Sequence, residues 1–271
     1  MKKTTKRIYF AVALLLVVCL LYVGYQCANY YAYAEEVEIR HNTNKQNDDT
    51  LRVIFIGDSW AAFHSKYNHQ LKSILEDSLY SPVKVLSNGS VGAKTNAVYA
   101  NMYDSLSSSG TKRLIDMLPD YAIISAGIND AVAKMGTKNY CHHYRLIIRN
   151  LLSAGIKPIV LEMPLVDYRA VYHRETAIAN LRHQISSWLT DAPMWDFEKY
   201  KQDLQSMIRQ ESFEGKVLIV SDSEWNPKGF ADPRNLYLDD YIHLNERGYA
   251  LLDSCIALRI IDDVQSIRGF Q

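Results

Sequence analysis

The sequence predicts an α/β protein: a three-layer α/β/α sandwich around a central, mostly parallel five-stranded sheet. Three observations carry this expectation. Five short runs rich in β-branched and aromatic residues occur in the chain, and stretches with apolar residues at helical spacing separate them. The recurring strand-then-helix order implies right-handed crossovers, hence parallel strands covered by helices on both faces. The 271 residues, 48% of them hydrophobic, suffice to bury one core, so a single catalytic-sized domain is expected.

The amino terminus stands apart. Lys2, Lys3, Lys6 and Arg7 precede an uncharged apolar run from Ile8 to Tyr25, about the length a helix needs to cross a bilayer. Basic residues before the run, with Glu35 and Glu36 after it, favour a cytoplasmic amino terminus and an extracytoplasmic remainder. Residues 1–34 are read as an uncleaved signal anchor or as a signal peptide cut after Ala32-Tyr33-Ala34. The length of the run, and the distance from its end to that Ala-x-Ala, weigh toward the anchor. Residues 35–50, with Asn42, Asn44, Asn47, Asp48 and Asp49 and no apolar period, read as a flexible linker before the domain at 51–271.

The strands follow in order. Leu51 to Ile56 is the first, stopped by Gly57-Asp58-Ser59; Trp60 to Tyr80 is helical up to Pro82. Val83 to Leu86 is the second strand, followed by the loop Ser87 to Thr95, with Gly89 and Gly92, and a helix from Asn96 to Leu106. Asp120 to Gly127 is the third strand and ends at Ile128-Asn129-Asp130; Tyr140 to Leu152 is the next helix. Lys157 to Met163 is the fourth strand. Helices are expected over Tyr168 to Leu189 and Phe197 to Ile208, a fifth strand over Lys216 to Val220, and a long loop from Ser221 to Leu238. That loop leads to Asp239-Asp240-Tyr241-Ile242-His243, and a helix from Asn245 to about Ile261 closes the chain.

Strands in a parallel sheet point the same way, so Ser59, the Gly92 loop, Asn129 and the segment holding Asp240 and His243 all emerge at one edge. Ester hydrolysis needs a nucleophile, a base, an orienter for the base and donors for an oxyanion, and residue types for each role converge there. Any one of these short motifs alone reads more simply as a helix cap or a strand-to-helix turn.

Together, Gly57-Asp58-Ser59, Gly92 in Ser-Val-Gly-Ala-Lys-Thr, Gly127-Ile128-Asn129-Asp130, and Asp240-Tyr-Ile-His243 followed by Leu-Asn-Glu-Arg-Gly248-Tyr resemble the SGNH hydrolases, also called the GDSL esterases and lipases. The four motifs occur in the family's order and span Leu51 to the carboxyl terminus. The resemblance implies a flavodoxin-like sheet. It also implies Ser59 as nucleophile, His243 as base and Asp240 as its orienter, with the backbone N–H groups of Ser59 and Gly92 and the Asn129 amide as oxyanion donors. Asp239 is set aside because the family's acid lies three positions before its histidine. Trp60 departs from the pattern, which has a small aliphatic residue there, and bears on local packing and substrate shape.

The function this implies is an exported serine esterase that removes acyl groups, acetyl foremost, from a carbohydrate or related envelope substrate. The aromatic stretch Phe230 to Tyr241, with Trp225 nearby, motivates the carbohydrate. A polysaccharide O-acetyltransferase using the same serine is the alternative, and a non-catalytic carbohydrate-binding protein of this fold a third reading. Partners are then the ester substrate and, through the first helix, a membrane. A formal net charge of +0 without long basic runs argues against nucleic acid. No cofactor and no metal are expected, since Cys141-His142-His143 diverge around a helix and His64, His69, His173 and His183 lack a repeating carboxylate arrangement. Cys141 and Cys255 are left either paired or as free thiols.

Overall fold

A computed structural model of the chain describes residues 3–37, 48–167, 176–190 and 197–269. It divides into two compact units, residues 1–34 and 35–271. The first is a single helix, α1 (Lys3–Tyr30), whose segment Ile8–Tyr25 is, among the described residues, the one span long and apolar enough to cross a membrane.

In the second unit five strands, β1 (Leu51–Gly57), β2 (Val83–Gly89), β3 (Tyr121–Ser125), β4 (Lys157–Leu161) and β5 (Leu218–Val220), form one sheet in the order β2-β1-β3-β4-β5. Every pairing is parallel. The central strands are apolar without alternation because both faces are covered: Val53, Ile54, Phe55 and Ile56 of β1 and Ala122, Ile123 and Ile124 of β3 are all buried. Edge strand β2 alternates instead, burying Val83 and Val85 and exposing Lys84.

The helices are α2 (Ser59–His64), α3 (Asn68–Leu79), α4 (Thr95–Asn101), α5 (Lys112–Ile115), α6 (Ile128–Ala133), α7 (Thr137–Ser153), α8 (Ala177–Thr190), α9 (Phe197–Gln210), α10 (Asp222–Trp225) and α11 (Glu246–Gly269). On one side α3 packs against β2 and α11, which also meets β5; elsewhere α7 covers β4 and packs with α4 and α9. The three-layer expectation therefore holds. Because β1 lies between β2 and β3, its carboxyl end is the point where the strand order reverses, the place where such sheets leave a crevice for ligands.

Local departures have local causes. The helix expected from Trp60 to Tyr80 is two, broken at 65–67. The break faces a buried network in which the His64 ring is committed inward, its Nδ1 3.0 Å from Asn68 Oδ1 at the start of α3. Strand β2 runs on to Gly89, and the short helices α5, α6 and α10, four to six residues each, are too brief to show a period. Residues 168–175 of the expected helix lie outside the described residues, as do 38–47 of the expected linker. Residues 35–37 pack on the domain: Val37 N–H donates to Tyr99 Oη at 3.0 Å, and Glu36 pairs with Arg149 at 3.0 Å.

Candidate active site

Ser59 is the first residue of α2, directly after β1, and is buried. Asp58 caps this helix, its Oδ1 accepting the Trp60 N–H at 3.0 Å and the Ser125 hydroxyl at 3.0 Å. Asp58 N–H in turn donates to the Ser125 carbonyl at 3.0 Å, tying the ends of β1 and β3 together. The approach is so close that a Cβ on Gly57, which has φ +150°, would lie 2.0 Å from Ser125 O. Burial pushes the Asp58 carboxyl up to about 6, against the two hydrogen bonds it accepts.

Asp240 and His243 occupy a tight turn beyond β5. Asp240 Oδ1 accepts the backbone N–H groups of Ile242 and His243, each at 2.9 Å, and Oδ2 lies 2.6 Å from His243 Nδ1. Burial works to raise the Asp240 carboxyl, but the hydrogen bonds from the His243 N–H, the imidazole and the Ile242 N–H outweigh it and hold the group below its ordinary value. A charged acceptor at Nδ1 requires the ring proton there, leaving Nε2 with its lone pair free. Nε2 lies 2.9 Å from Ser59 Oγ. Phe63, one turn after Ser59, sits edge-on to the imidazole with ring centroids 4.9 Å apart. Asp239, the neighbour set aside, is exposed and Asp240 is the partner.

The predicted oxyanion donors follow the carboxyl ends of β1, β2 and β3. The Ser59 N–H opens a helix and has no intrahelical acceptor. Gly92 is exposed with φ +76° and open space where a Cβ would stand, and its loop is tied to β1 by Ser90 N–H donating to Gly57 O at 3.1 Å. Asn129, in the first turn of α6, donates one amide N–H to Ala93 O at 2.9 Å, which leaves its second amide hydrogen for a ligand. Asp130 beside it accepts the Thr95 N–H at 2.9 Å and the Thr95 hydroxyl at 2.6 Å. Burial pushes Asp130 up to about 7, against those bonds. Two consecutive residues of α6 thus grip the loop that carries Gly92. This geometry can move a proton from the serine hydroxyl to the imidazole.

The family model for the GDSL-like lipase/acylhydrolase family matches residues 55–251. The chain belongs to that family. Membership makes it a serine-dependent ester hydrolase, and its fold is shared with solved structures of low identity. A lipase/acylhydrolase from Enterococcus faecalis superposes with a TM-score of 0.55 at 15% identity, over 79% of this chain and 96% of that one. A family 3 carbohydrate esterase from Clostridium thermocellum gives 0.54 at 14%, over 80% and 98%. An acetyl xylan esterase gives 0.51 at 16%, over 76% and 98%. No curated protein matches the sequence.

Several features of this GDSL-like hydrolase were not legible in its sequence. Trp225, expected beside an aromatic approach surface, is 2% exposed and cannot meet a substrate, whereas Phe230, Leu238 and Tyr241 are exposed. A second histidine–aspartate pair lies in the core: His64 Nε2 is 2.7 Å from Asp253 Oδ1, both side chains fully buried, with Ser87 Oγ 2.8 Å from His64 Nδ1. Cys141 and Cys255 are free thiols, and burial pushes Cys141 up to about 12. Among the described residues no group of three or more His, Cys, Asp or Glu side chains is arranged to hold a metal.

Proposed function

We propose that this hydrolase is an exported esterase that removes acyl groups, acetyl foremost, from a carbohydrate of the cell envelope through an acyl-serine intermediate. Ser59 Oγ attacks the acyl carbon as its proton passes to His243 Nε2. The oxyanion is held by the N–H groups of Ser59 and Gly92 and by the Asn129 amide. His243 returns the proton to the departing alcohol oxygen, leaving the acyl group on Ser59, while Asp240 stabilises the imidazolium. Water then attacks the acyl carbon, gives its proton to His243, and the acid leaves as the proton returns to Ser59. The observation that carries this reading is the 2.9 Å contact between Ser59 Oγ and His243 Nε2.

Support for a carbohydrate comes from the exposed Phe230, Leu238 and Tyr241, of which Leu238 lies five and Tyr241 two positions before His243, and from the acetyl xylan esterase and carbohydrate esterase that share the fold. Support for export comes from Lys2, Lys3, Lys6 and Arg7 ahead of the apolar span.

The test is full-length protein in detergent assayed on short and long aryl esters and on acetylated sugars, with Ser59→Ala as control. Free acid released from acetyl esters, and lost in Ser59→Ala, is the expected result. Hydrolysis that persists in Ser59→Ala overturns the serine mechanism, and acetyl recovered on an added sugar acceptor instead of water converts the assignment to transfer.

A further inference from the structure

We propose that Trp60 is a positioning residue: its indole tethers the peptide immediately before His243 and so sets the approach of the imidazole to Ser59. The proposal rests on the serine esterase reading above. Asp240 braces the imidazole, but it belongs to the same turn and moves with it. Something must hold that turn against β1 and α2. Trp60 Nε1 donates to the carbonyl of Ile242 at 3.1 Å, spanning 182 positions of sequence.

The tryptophan is itself fixed at both ends of its backbone. Its N–H donates to Asp58 Oδ1 at 3.0 Å, and its carbonyl accepts the hydroxyl of the buried Tyr249 at 2.9 Å. Its ring meets Trp225 edge-on, with centroids 5.9 Å apart, ahead of the His243 turn. At 2% exposure Trp60 does not touch substrate, so its effect is exerted through His243. The two reacting atoms are thereby referred to one rigid piece, because the residue after the nucleophile grips the residue before the base. A small aliphatic side chain at position 60 has neither the reach nor a donor for this contact.

The experiment compares full-length wild type with Trp60→Phe, which keeps an aromatic ring and deletes the N–H, and with Trp60→Leu. Turnover is expressed per serine titrated by a fluorophosphonate, so unfolded protein does not count. The expected result in both variants is a kcat about 10-fold lower with KM within about 2-fold, as for a small misplacement of a reacting group. Amide hydrogen exchange supplies a readout that needs no turnover: segment 238–244 exchanges about 10-fold faster while 51–57 is unchanged. Wild-type kcat in Trp60→Phe with unchanged exchange over 238–244 overturns the proposal, and so does acceleration equal in both segments, the mark of general destabilisation. A wild type silent on every ester and unlabelled at Ser59 overturns the esterase reading instead, and the exchange comparison still decides the tether.

Discussion

Ser59 Oγ and His243 Nε2 stand 2.9 Å apart, though 184 positions separate them in the chain. The contact joins the end of β1 to the turn before the last helix. Removing either side should cost turnover steeply: Ser59→Ala and His243→Ala each lower kcat by roughly 10⁴-fold or more, and the double variant is hardly slower than either, because the two act as one unit. Steady-state rates on an aryl acetate, with fluorophosphonate labelling of each variant, check this.

The two buried or half-buried histidine–aspartate pairs should behave oppositely. Asp240 is partly exposed, so Asp240→Asn costs about 1 kcal/mol of stability or less but lowers kcat roughly 10²- to 10⁴-fold, since the imidazole loses the acceptor that selects its tautomer. Asp253 is fully buried against His64, and Asp253→Ala costs about 1–3 kcal/mol by leaving the buried His64 Nε2 without its partner while Nδ1 keeps Asn68 and Ser87. Urea titrations alongside rate measurements separate the two outcomes. Asp240 itself is held below its ordinary value, so its contribution to stability is present above about pH 4 and is lost as pH falls through its lowered folded-state value.

Asn129→Ala should reduce kcat about 100- to 1000-fold with little change in KM, the signature of a donor used in the transition state. The same change also frees Ala93 O, so Thr95→Val, which removes a neighbouring anchor of the loop through Asp130, serves as comparison. If both variants lose turnover equally, loop placement and not the amide is responsible.

Asp58→Asn should stabilise the protein at neutral pH. An ordinary aspartate titrates near 3.8, and Asp58 does so at about 6 in the fold. Between those values the native state keeps a proton that the unfolded chain has released, so stability falls as pH rises through the window and the deficit is complete above it. Asparagine keeps the Oδ1 that accepts from Trp60 N–H and Ser125 Oγ. The gain is at most about 3 kcal/mol at pH 8 and vanishes near pH 3, where both forms are neutral. Denaturant midpoints at the two pH values give the difference directly.

Sequence alone determined the strands, their parallel orientation and the ends that carry Ser59, Gly92, Asn129, Asp240 and His243. These are local matters: an apolar run with no alternation reads as a central strand, and glycine or a short polar residue marks where it stops. Tertiary structure decided what those ends touch. That Trp60 reaches Ile242, that Trp225 turns inward, that His64 pairs with Asp253 and that Asn129 shares its amide with Ala93 all depend on atoms far apart in the chain. Periodicity reports which face of an element is buried but not the partner it meets, because the partner is chosen by the packing of the whole sheet and its helices.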